Sequence, residues 1–127
     1  MARLLLAAGA VLSLVCSASA AAQPAQPAQL VIQVYSFGFA PHPIHLAAGR
    51  EVTLTFVNRS GSSHDFTAPG FFEHATIVSG ALDGEEVELR PRESRTVTLV
   101  PRAGTYQAHC SHFFHKQMGM SDEIVVD

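Results

Sequence analysis

Between His109 and Met120 the chain reads His-Cys-Ser-His-Phe-Phe-His-Lys-Gln-Met-Gly-Met. This places one thiol, three imidazoles and two thioethers within twelve residues. Soft thiolate and thioether donors combined with imidazole favour copper over hard cations such as calcium or magnesium. Structural zinc is the main competitor, but it prefers two or more thiolates or a closed Cys/His set. Cys110 has two further readings: a buried inert thiol, since free cysteine packs like a small hydrophobe, and a nucleophile with His115 as its base. The nucleophile lacks support, because neither an oxyanion donor nor a substrate pocket can be read from the residues.

A trigonal set of two histidines and one cysteine with a weak axial methionine is the arrangement of electron-transfer copper sites. One loop can supply a cysteine, a histidine and a methionine if it wraps the ion, and the second histidine must then come from elsewhere. Ser111 stands directly after the cysteine, and Met118 competes with Met120 for the axial position. His112, two residues from Cys110, reads as a surface loop residue, an alternate ligand or a docking residue. His42, His45, His74 and His109 have no motif around them.

The elements that must position these groups are strands. Leu30–Tyr35 is β-branched and apolar. In Glu51–Asn58 the residues Val52, Leu54 and Phe56 share one face, with Thr53 and Thr55 on the other. Further strands are expected at Ile44–Leu46, His64–Thr67, Glu85–Leu89, Arg95–Val100, Gly104–His109 and Ile124–Val126. Phe71, Phe72, Ala75 and Val78 recur at near-helical spacing, so Pro69–Leu82 is expected to hold one or two helical turns. Seven or eight short strands with turn residues between them argue an all-β sandwich. Alternation in the strand before the loop turns Tyr106, Ala108 and Cys110 to one face and Gln107 and His109 to the other.

The chain has 127 residues. Arg3 and the apolar run Leu4–Val15, too short to span a bilayer, followed by small residues, read as a signal peptide over 1–22. An Ala/Gln/Pro-rich linker over 23–29 and one domain over 30–127 follow. Cys16 suits a lipidated cysteine poorly, because bulky Leu14 and Val15 precede it. Without Arg3, seven basic residues face eleven acidic ones, a net charge of −4 with histidines neutral. A single lysine, Lys116, and no cluster of basic residues argue against nucleic-acid binding. If Cys16 leaves with the signal, Cys110 is the one remaining cysteine and has no internal disulfide partner.

Cys110, four residues, His115, four residues, Met120 resembles the ligand loop of cupredoxins, and its spacing is similar to the mononuclear copper site of multicopper oxidases. Gly104–Cys110 resembles the strand entering that loop. Asn58, five residues before His64 counting those between, resembles the segment that delivers the first histidine. The resemblance covers about Leu30 to Asp127. It implies a cupredoxin-like Greek-key β-sandwich with a short helical segment, in which His64, Cys110, His115 and Met120 hold one copper ion cycling between Cu(I) and Cu(II). It implies an exported, periplasmic or secreted electron carrier. Such a protein is expected to be a monomer and no enzyme, meeting redox proteins such as a cytochrome or oxidase transiently. A copper chaperone, scavenger or resistance protein is the alternative, and His112 and Met118 as extra ligands favour it.

Two departures exclude relatives. Ser111 occupies the position of a trinuclear-cluster histidine in multicopper oxidases, and a dinuclear centre would need a second cysteine in the loop. Asp65 follows His64 where the family often has asparagine, and it is expected to accept a hydrogen bond from Ser111 and stiffen the site. The acidic run Asp83, Glu85, Glu86, Glu88 reads as a solvated strand face and hairpin rather than a docking patch for a basic partner, with cross-strand pairing to Arg90, Arg92 and Arg95 expected to neutralise much of it. Phe113 and Phe114 are expected to form an apolar collar at the site.

Overall fold

The computed structural model describes residues 22–80, 82–112 and 120–127. Residues 1–21 with Cys16, read above as part of a signal peptide, and the loop residues Phe113, Phe114, His115 and Met118 lie outside the described residues. In chain order the first elements are β1 (Ala28–Tyr35), β2 (Gly38–Ala40), β3 (Ile44–Leu46), β4 (Val52–Asn58), β5 (His64–Thr67) and α1 (Pro69–His74). β6 (Thr76–Ser79), β7 (Glu86–Leu89), β8 (Ser94–Val100), β9 (Gly104–His109) and β10 (Ser121–Val126) follow. They form two five-stranded sheets, ordered β2-β1-β4-β8-β6 and β3-β10-β9-β5-β7. The β1–β4 and β3–β10 pairs are parallel, and the remaining pairs are antiparallel.

Two strands exceed the seven or eight expected from the sequence. β2 is only three residues long, and β6 is exposed throughout, so neither shows the alternation that marks a half-buried strand. β1 also begins at Ala28, two residues inside the stretch read as linker, because Ala28 and Gln29 pair with Val52 and Thr53. The expected helical turns are present as α1, which opens on Pro69 and buries Phe71 and Phe72. Val78 does not continue them. It lies on β6 at 51% exposure, and its spacing from Phe71 is not helical packing.

The two inner faces meet in one core. Ile32 and Val34 from β1, Leu54 and Phe56 from β4, and Val97 and Leu99 from β8 face Phe66, Val87, Leu89, Ala108 and Ile124 of the other sheet. Phe66 is central, with its ring 4.9 Å from Phe56, 5.2 Å from Phe39 and 6.2 Å from Phe72. Phe71 passes the packing on to Tyr106, 5.7 Å away edge to face, so α1 sits against β9, the strand that ends at the candidate site. On the outer face of the first sheet, Thr53 and Thr98 share a hydrogen bond of 2.9 Å across β4 and β8. Gly80 turns the chain out of β6 at φ 98°, and a Cβ there would lie 2.5 Å from the Thr96 carbonyl oxygen, so this position requires glycine.

Candidate metal centre

Two chain segments meet at one end of the sandwich. The first runs from β4 through a short turn into β5. Asn58, the last residue of β4, is buried, and its amide nitrogen lies 2.8 Å from the Ser62 carbonyl and 2.9 Å from that of Arg90. Its amide oxygen accepts from the Ser60 backbone N–H and hydroxyl, both at 2.9 Å. One asparagine therefore pins the turn over 59–63 and sets where β5 starts. The residue that starts it is His64, 1% exposed.

The second segment is the end of β9. Ala108 and Cys110 point into the core, as the alternation predicts, and His109 lies half-buried on the opposite face. The Cys110 backbone N–H donates to the Met120 carbonyl at 3.1 Å, closing the base of the loop between them. Cys110 and Met120 are both fully buried. Cys110 Sγ lies 4.0 Å from His64 Nδ1. Donors bonded to one ion at about 2.3 Å for sulfur and about 2.05 Å for nitrogen sit about 3.8 Å apart in a trigonal plane. The donor atoms of His64 and Cys110 thus come together, Met120 is buried beside them along the backbone, and His115 lies outside the described residues.

The two segments are tied by Asp65, whose carboxylate is fully buried. It accepts from the Ser111 backbone N–H at 2.8 Å, from the Ser111 hydroxyl at 2.5 Å and from the Thr67 hydroxyl at 2.6 Å. The expected Asp65–Ser111 bond is therefore present, and doubled. The Asp65 backbone N–H points at Cys110 Sγ from 3.5 Å. Burial pushes the Cys110 thiol above its ordinary range, and the Asp65 and Glu88 charges push the same way. The backbone N–H groups of Asp65 and His112 pull it back in part.

Two expectations about the surroundings need correction. His112 is no plain surface residue: its Nε2 lies 3.3 Å from Glu88 Oε2 and 3.5 Å from Asp65 Oδ2. The acidic run is engaged differently as well. Glu86 accepts from Thr67 at 3.2 Å and Glu88 faces His112, while Arg95 pairs with Glu93, outside the run. Residues 86 and 88 point to the outer face beside β5, away from the hairpin that carries the arginines.

One pair was not anticipated. His42 Nδ1 lies 2.5 Å from Asp122 Oδ1, and Asp122 is buried on β10 just past Met120. The signal was available in outline, because Asp122 stands in phase with Ile124 and Val126 on the inward face and a carboxylate there calls for a partner. His74 caps back within its own helix, with Nδ1 2.7 Å from the Gly70 carbonyl, and its ring lies 6.2 Å from that of Tyr106, while His45 is exposed on β3.

A family model described as a cupredoxin-like domain matches residues 5–126. By sequence, no curated protein matches the chain. Among solved structures, auracyanin B is similar at TM-score 0.58 and 22% identity, over 83% of this chain and 93% of that one. A dithionite-reduced auracyanin from Roseiflexus castenholzii gives TM-score 0.59 and 18% identity, over 81% and 99% of the two chains. A multicopper oxidase from Campylobacter jejuni, a metallo-oxidase, gives TM-score 0.61 and 14% identity over 82% of this chain, which spans 31% of the oxidase.

Proposed function

The chain belongs to the cupredoxin-like domain family, and from that premise we propose that it is an exported type 1 copper protein. One copper ion would be held by His64, Cys110, His115 and Met120. The observation that carries this reading is the buried approach of His64 Nδ1 to Cys110 Sγ at 4.0 Å, with buried Met120 held to the Cys110 backbone through its carbonyl. The donor set suits a soft ion, and its burial suits one that exchanges electrons without exchanging ligands. Copper bound there supplies a one-electron couple between its cuprous and cupric states.

The chain's own residues do the rest. Cys110 must surrender its proton to become a ligand, so metal binding releases a proton and strengthens as pH rises. The Asp65 N–H directed at Sγ then stabilises the thiolate. Asp65, holding Ser111 by two bonds, locks the His64 strand to the Cys110 loop and limits how far the donors move on reduction. The segment over 1–22 directs export, and the partners are redox proteins of the periplasm or cell exterior, such as a cytochrome or oxidase, met transiently.

The test is to add cupric ion to the mature protein and record its visible spectrum beside that of Cys110→Ala. An intense band lost in the variant is the expected result. A colourless protein, or colour that survives the substitution, would remove Cys110 from the site. Retention of copper against a strong chelator, together with rapid electron exchange, then separates a carrier from a copper-delivery protein, which would surrender the ion.

A further inference from the structure

Outside the sulfur site, on the outer face of the second sheet, Asp65, Glu88 and His112 converge. Their ligand atoms all lie within 4.8 Å of one another. We propose that these three residues form a second cation site, taking a borderline divalent ion such as zinc through one imidazole nitrogen and two carboxylate oxygens.

Two independent features point to an ion between them. The first is register. Asp65 and Glu88 are directly paired residues on antiparallel β5 and β7, and like charges placed opposite one another on one face repel. Asp65 is fully buried while doing so, and the Ser111 and Thr67 groups that donate to its carboxylate bring no positive charge. A cation between the two carboxylates removes that cost.

The second feature is spacing. His112 Nε2 lies 3.3 Å from Glu88 Oε2 and 3.5 Å from Asp65 Oδ2. A charge-assisted N–H···O bond closes to about 2.7–2.9 Å. Donors on a tetrahedral zinc with bonds of about 2.0–2.2 Å stand about 3.3–3.5 Å apart. The Glu88 contact makes a long hydrogen bond in the absence of an ion, and the separations are those the second geometry needs. The carboxylate is also supported as a ligand should be: Asp65 Oδ2 accepts from the Ser111 hydroxyl at 2.5 Å, and Oδ1 accepts from Ser111 N–H and Thr67.

The chemistry of the donors selects the ion. Calcium requires six to eight oxygens and magnesium a near-ideal octahedron, whereas one nitrogen and two oxygens suit zinc or cupric ion. Glu88 and His112 are 36% and 32% exposed, so an ion can reach their donor atoms from solvent. Three protein ligands with one open position is an exchangeable zinc geometry, not the closed four-ligand kind. The site shares Asp65 and Ser111 with the sulfur site, so the two are mechanically joined.

The test uses zinc as the probe and Cys110→Ser as the background, which removes the thiolate whatever that site binds. Calorimetric titration is expected to show one zinc per chain. Adding Glu88→Gln or His112→Ala should weaken binding at least about tenfold, while His74→Ala, on α1, leaves it unchanged. No binding in the Cys110→Ser chain, or the same affinity after Glu88→Gln and His112→Ala, would overturn the proposal. Should Cys110→Ser melt far below the parent, anomalous diffraction from zinc-soaked crystals of the unaltered chain decides instead. A zinc peak bonded to His112 Nε2 supports the site, and its absence there refutes it.

Discussion

Asp65 offers the sharpest probe of how the two site segments are held together. Its carboxylate accepts three hydrogen bonds at zero exposure, two from Ser111 and one from Thr67. A hydrogen bond to a charged group contributes about 1.5–3 kcal/mol. The three do not add fully, because Ser111 is exposed and water can replace part of what is lost. Asp65→Ala in the metal-free protein should therefore cost about 2–4 kcal/mol, which for a domain near 100 residues lowers Tm by roughly 10–25 °C. Asp65→Asn makes the opposite prediction. Oδ1 alone accepts from both Ser111 N–H and Thr67, and an amide keeps that oxygen. The new NH2 group, standing where Oδ2 was, donates to the Ser111 hydroxyl. All three contacts survive without charge, and the repulsion from Glu88 is relieved, so the loss should stay within about 1 kcal/mol. Guanidinium unfolding followed by circular dichroism measures both, since the chain has no tryptophan. If Asp65→Ala stays within about 1 kcal/mol of the parent, or Asp65→Asn falls as far as Asp65→Ala, the hydrogen-bonded tie is not what Asp65 provides.

Three further outcomes follow from the same geometry. In copper-loaded protein, Asp65→Asn should raise the reduction potential by about 40–100 mV, the equivalent of roughly 1–2 kcal/mol, because a negative charge that favours the cupric ion is gone; spectroelectrochemistry showing no change would dismiss that electrostatic role. In metal-free protein the folded state holds the Cys110 proton above the ordinary value of 9.0. Stability should thus be level below that value and fall as pH rises through it toward the folded value, an effect absent in Cys110→Ala and readable from thermal melts across alkaline pH. Phe66→Ala removes the ring shared by Phe39, Phe56 and Phe72 and should cost about 3–5 kcal/mol in denaturant unfolding; a loss below about 1 kcal/mol would mean the core collapses around the gap.

The strands that could be read from the chain are those with one wet and one dry face. Val52, Leu54 and Phe56 alternate with Thr53 and Thr55 because β4 lies at the centre of its sheet with only its inner face in the core. β6 escaped because it is an edge strand with both faces exposed, so nothing in Thr76–Ser79 needs to alternate. The start of β1 escaped for a different reason. Ala28 and Gln29 carry no strand preference, and they are extended only because β4 runs parallel alongside and pairs with them.

The site divides along the same line. His64, Cys110 and Met120 could be named because their chemistry is unusual and their spacing is local to one loop and one turn. Asp65 and Ser111 could be paired because each adjoins a candidate ligand, so bringing the ligands together brings them together too. His112 and His42 could not, since their partners Glu88 and Asp122 lie 24 and 80 positions away and only strand pairing places them. The β5–β7 register is the case in point: a slip of one residue would put Val87 opposite Asp65 and turn Glu88 to the core. The hydrophobic requirement that buries Val87 and Leu89 therefore also holds Glu88 against Asp65, and it is this packing, not any motif, that sets an imidazole between two carboxylates beside the sulfur site.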